Sequence, residues 1–243
     1  MREDSPLLWL DRLEEQSSQD MRANFKKEIS LLEKQIHVIS AYVNEVGKAR
    51  KETGMTIGEL KNSRDEKLLR FMVPAFLMFQ ALDNLQAARS VIVRGYLSVA
   101  NSCLRNVAEA LRWANTAAES AEVAREWLRS GKYRRPRGFV LAPPVQEVMR
   151  QLDRLSKGGS HPLATARTYS ALAKSEASTL LGYKLRMEGI HSFLNLVNQV
   201  SANLLFFLVG QFNQVLQKNP PLREEVNNLT TELDTVFGIK RLT

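Results

Sequence analysis

Three groups of residues have the types and spacing to do chemistry. In the first, Ser98, Asn101, Ser102, Arg105, Glu109 and Arg112 recur at helical intervals along one edge of an apolar helix, and His161 follows in the bend Gly158-Gly159-Ser160-His161-Pro162. In a cleft, Arg105 or Arg112 would grip phosphate or carboxylate with two parallel hydrogen bonds, with Glu109 orienting the guanidinium. His161 would exchange a proton near neutral pH. The competing reading is a solvated helix face. Arg105 and Glu109 then form an i,i+4 pair worth about 0.3 kcal/mol, and His161 merely caps a helix.

The second group is the segment Trp127 to Phe139, where Arg129, Lys132, Arg134, Arg135 and Arg137 alternate with aromatic residues. Cations for phosphates and rings for base stacking are the ingredients of single-strand nucleic-acid binding. A solvated connector has much the same composition. The third group is Arg186-Met-Glu-Gly-Ile-His191. Five residues on a straight α-helix turn the chain by about 140°, so Arg186 and His191 point apart unless Gly189 bends it.

Composition bounds what these groups can do. The chain has 243 residues, a formal charge of +8 and a pI near 9.7, which favours anionic partners, RNA among them. Cys103 is the sole cysteine, so the sequence offers neither a disulfide framework nor a thiolate cluster, and a reducing cytoplasmic setting is expected. His37, His161 and His191 are the only histidines, and no two stand at helical ligand spacing, so no metal site and no cofactor are expected. The phosphate-binding Gly-x-x-x-x-Gly-Lys loop, the Gly-x-Gly-x-x-Gly turn and the Gly-x-Ser-x-Gly elbow do not occur. Met1 to Glu15 lacks the pattern of a secretory leader. The apolar runs Phe71–Phe79 and Leu204–Val209 fall short of the roughly 20 residues that span a bilayer, so no membrane partner is expected.

Helical periodicity dominates the elements that must position these residues, and strand-like alternation is nearly absent, so the expected fold class is all-α. Phe25, Ile29, Leu32, Ile36, Ile39, Val43 and Val46 draw one apolar seam, a coiled-coil-like helix within residues 15–50. Such a seam predicts a long partner, either the last two helices or a second copy of the chain. A core bundle is expected over residues 65–217, with Pro74 starting or kinking a helix near Val73 and Gly95 turning a corner. From Leu97 to Ala117, Val99, Ala100, Cys103, Leu104, Val107, Ala110, Leu111 and Ala114 predict a central, buried helix. Short helices are expected over residues 121–129, 145–155 and 162–175. A long one follows around Ile190 to Val215, ended by Asn219-Pro220-Pro221, and an amphipathic one over 219–237 carries Leu222, Val226, Leu229, Leu233 and Val236. One domain is expected over 1–243.

The spacing of Arg186 and His191 resembles the arginine-x4-6-histidine motif of the HEPN group, all-helical bacterial proteins that include toxin and defence ribonucleases. That resemblance implies metal-independent RNA cleavage by the pair, at a dimer interface. Residues 82–162 resemble bacterial helical families adjacent to that group through Arg94-Gly95-Tyr96, Leu104-Arg105 with Glu109, Trp127-Leu128 with Gly131, and Leu155-Ser156 with His161-Pro162. Two functions are therefore expected in competition. One is an RNA-binding protein or endoribonuclease, homo-oligomeric, with Arg105, Glu109, His161, Arg186 and His191 as candidate catalytic residues. The other is a non-catalytic module that holds a partner protein against long apolar seams.

Overall fold

A computed structural model describes residues 6–130 and 176–237, together with Gln146 and Arg150. Among these residues the regular structure is entirely helical: α1 (Pro6–Asn24), α2 (Lys26–Glu52), α3 (Ile57–Asn62), α4 (Glu66–Ile92), α5 (Leu97–Glu119), α6 (Ala121–Ser130), α7 (Glu176–Gln211), α8 (Asn213–Gln217) and α9 (Pro220–Phe237). The fold class is all-α. The helices expected over 145–155 and 162–175 lie outside the described residues, apart from Gln146 and Arg150.

The seam helix starts at Lys26 rather than running through Phe25, whose φ of −125° and ψ of 34° put a kink between α1 and α2. Ile29, Leu32, Ile39, Val43 and Val46 are buried, and α2 packs against α4, α7 and α9, so both late helices of this chain cover the seam. Residue pairings give the directions. Arg89 meets Glu33, and Gln86 meets Ser40, so α4 runs antiparallel to α2. His191 meets Glu28 and Asn198 meets Gln35 at one constant offset, so α7 runs parallel to α2. Lys34 of α2 pairs with Glu232 of α9.

Within the α2–α7 seam sits a polar layer. Gln35 Nε2 donates to Asn198 Oδ1 at 2.7 Å, and Asn198 Nδ2 donates to the carbonyls of Glu28 (3.1 Å) and Leu194 (3.0 Å). One polar pair in an apolar seam fixes the axial register, because any slip would bury it without partners. Tyr42 lies one heptad beyond Gln35, fully buried, and burial pushes its hydroxyl pKa well above the ordinary value.

Pro74 does not start a helix, since α4 continues through it. Proline lacks the N–H that would bond the Arg70 carbonyl four residues back. That carbonyl accepts instead from Gln211 Nε2 at 2.9 Å, at the end of α7. A tertiary contact thus replaces the missing helical bond. The neighbouring Arg70 Nε donates to the Ala118 carbonyl at 2.5 Å, tying α4 to the end of α5.

α4 and α5 form an antiparallel hairpin whose corner is Gly95, with φ of +84°. Ala100, Leu104, Val107, Ala110, Leu111 and Ala114 are buried as the periodicity requires, but Val99 is 49% exposed and Cys103 half-buried. The buried arc of α5 is therefore narrower than expected. A Cβ at Gly95 would stand 2.5 Å from Ser17 Oγ, because α1 lies over the corner and Glu14 accepts from the Tyr96 hydroxyl. Gly95→Ala is expected to destabilise the fold by about 2 kcal/mol or more, combining left-handed backbone strain with the clash. In a urea titration, Ser17→Ala should recover only the steric part. A midpoint within error of the wild type would remove Gly95 as the device that sets this corner.

α4 and the Gly189–Gln211 part of α7 are, by length and composition alone, long and apolar enough to cross a membrane. The short runs read from the sequence understated them, because intervening alanines and polar residues extend each helix. More than half of each apolar window is buried inside the bundle.

Candidate functional site

α5 places Arg105 and Glu109 one turn apart, both half-buried. Glu109 reaches a cleft of about 380 Å³ among α3, α4, α5 and α6, walled by Trp113, Trp127 and Leu128 and edged by Lys61, Gln80 and Asn106. A carboxylate beside two indoles can hold a cationic group. The third member expected here, His161, lies outside the described residues, so the structure gives no distance from it to Arg105 or Glu109. Arg112 lies 5.9 Å from the Trp113 ring centre. Asn101, also on the expected polar edge, is instead buried.

Of the basic segment, Arg129 is described and stands exposed near the end of α6. It borders an open cleft of about 1040 Å³ with Arg125 and with Glu66, Glu119, Glu122 and Glu126. Among the described residues this cleft is lined by four carboxylates and two guanidinium groups. Arg125 pairs with Glu66 at 3.6 Å. Lys132, Arg134, Arg135 and Arg137 lie outside the described residues.

Arg186 and His191 both belong to α7, which runs unbroken through Gly189. The two positions are five residues apart on one continuous helix, a turn of about 140° where such a helix is straight. His191 has a partner that the sequence did not suggest. Its Nδ1 lies 3.0 Å from Glu28 Oε1, with the imidazole 54% exposed and the carboxylate 19%. A carboxylate this close to an imidazole nitrogen can orient the ring for proton transfer. The signal lay in neither residue's neighbourhood, because it depends on α2 and α7 running parallel. Lys26 and Lys27, at the start of α2 beside Glu28, are exposed.

Among the described residues, no group of three His, Cys, Asp or Glu side chains could hold a metal ion. A further cleft, of about 620 Å³, opens where the end of α2 meets α4 and the start of α9. Gly47 allows that approach, since a Cβ there would come within 2.7 Å of Phe79 Cζ. No family model, curated protein or solved structure matches the chain.

Proposed function

We propose that this chain is an RNA-directed helical protein with a HEPN-like core, acting as a metal-independent endoribonuclease in which His191 moves a proton. The observation that carries this reading is the His191–Glu28 pair: a half-exposed imidazole whose Nδ1 lies 3.0 Å from a carboxylate, the kind of pair that can pass a proton to or from a ribose hydroxyl or a leaving oxygen. The net charge of +8 favours an anionic substrate. Arginine stabilises phosphate charge as it develops. Because five residues on a straight helix set two positions about 140° apart, the arginine that completes the site in this reading comes from a second copy of the chain. The alternative module reading relies on the apolar seams of α2 and α9, and most positions of those seams are buried in the chain's own core, which favours the RNA-directed reading.

The test is cleavage of unstructured RNA in the presence of a chelator. His191→Gln is expected to lower the rate by about a hundredfold or more with an unchanged melting temperature. Glu28→Gln should lower it less. Mixing His191→Gln with Arg186→Ala subunits should restore part of the activity if the site is shared between copies. Binding should be sequence-tolerant and steeply weakened by salt, with a shallower slope once Arg134, Arg135 and Arg137 become alanine. Purified protein that binds no RNA at low salt, or cleavage indifferent to His191, would sink the reading.

A further inference from the structure

The cleft at the far end of α2 contains a cation that the fold leaves unbalanced. Arg50 lies with its guanidinium carbon 4.7 Å from the Phe76 ring centre and 5.9 Å from that of Phe79, both on α4. Contact of this kind suits the flat, weakly hydrated guanidinium. Its Nε is sealed from solvent with nothing to donate to, and no carboxylate among the described residues pairs with the group. Partial burial strips such a cation of some of its hydration, which strengthens its attraction for an incoming anion.

The surroundings reinforce that charge. Lys51 is exposed at the cleft without a carboxylate partner among the described residues, while Lys48 is held by Glu45 at 2.6 Å. Glu225 of α9 is the remaining acid on the rim. The α9 backbone supplies no donors of its own here. Pro220 and Pro221 have no N–H, the Leu222 N–H is taken by Asn219 Oδ1 at 3.2 Å, and the Arg223 N–H by the Asn219 carbonyl at 3.0 Å. Recognition must therefore come from the side chains. A guanidinium whose Nη groups make no hydrogen bond among the described residues, in a cleft also lined by a lysine, fits a tetrahedral oxyanion with several acceptor oxygens better than it fits a halide or a neutral group.

We propose that Arg50 and Lys51 form a phosphoryl-binding site, filled by the terminal phosphate of a nucleic acid or by a small phosphorylated compound. It lies about 33 Å along α2 from Glu28 and His191, at roughly 1.5 Å per residue, so it is separate from the proposed cleavage site and can fail or stand without it.

Thermal melting of the full chain with pyrophosphate as probe tests the site, chloride at matched ionic strength being the control. The wild type is expected to show a saturable rise in melting temperature that chloride does not reproduce. Arg50→Gln should weaken the apparent affinity by about tenfold or more, and Glu225→Gln should strengthen it by removing the rim acid. Arg50→Lys keeps the charge but loses the fork, so it should bind more weakly than wild type while folding. It carries the test should Arg50→Gln fail to fold. A 5′-phosphorylated RNA oligonucleotide preferred over its 5′-hydroxyl form assigns the phosphate to nucleic acid; equal binding of the two with pyrophosphate still bound assigns it to a small ligand. If pyrophosphate gives no saturable shift, or stabilises Arg50→Gln or Arg50→Lys as much as wild type, Arg50 is a structural clasp between α2 and α4 and the site does not exist.

Discussion

Val43→Asp is expected to abolish the folded state, whereas Ile36→Asp on the same helix should leave a folded but weakened protein. Val43 has no exposed surface and sits where α2 is enclosed by its neighbours, while Ile36 only packs against the edge of that core. A carboxylate at Val43 would be desolvated with no partner, at a cost of several kcal/mol, comparable with the whole stability of a domain, which is about 5–15 kcal/mol. At Ile36 the new charge can reach water, and the loss is mainly that of the apolar contact, about 1–2 kcal/mol. The two positions are equivalent in the sequence, one heptad apart in the same seam. Far-ultraviolet circular dichroism with thermal melting separates them. A Val43→Asp protein that melts within a few degrees of wild type would show that α2 is not enclosed as described.

Asn198→Leu should cost about 2–3 kcal/mol, and the double variant Gln35→Leu with Asn198→Leu should recover most of it. Alone, the substitution strands the Gln35 amide in a fully buried position and removes three hydrogen bonds. A buried polar group without a partner bears its whole desolvation cost, whereas replacing both members by apolar groups of similar shape can be nearly neutral. Urea denaturation of the wild type, both single variants and the double gives the coupling directly. Additive losses would mean that the pair contributes nothing as a pair. Recovery with broadened, less cooperative unfolding would assign the layer to register rather than to stability.

Both results bear on how much of this molecule could be read before it was folded. Helix existence was legible because apolar spacing is local: seam positions of α2 and α9 and most inward positions of α5 are buried where the periodicity put them. The corner at Gly95 was legible for the same reason. Val99 and Val236 show the limit, since each continues its apolar pattern yet is exposed, 49% and 55%. Periodicity marks the face a residue belongs to but not how far the neighbouring helix extends over it.

The sequence by itself determined the helical class, the order of the helices and the residue types available for chemistry, because these follow from composition and from contacts within a few residues. Only the tertiary structure decided which of those residues meet. Pro74 is tolerated because Gln211, 137 residues later, bonds the carbonyl the proline frees. His191 acquires Glu28, and Gln35 acquires Asn198, because α7 lies parallel to α2 across the whole intervening chain. Arg50 is stacked on two rings because Gly47 lets α4 approach. Each pairing depends on side chains converging from helices remote in sequence, and no local pattern encodes a distance between them.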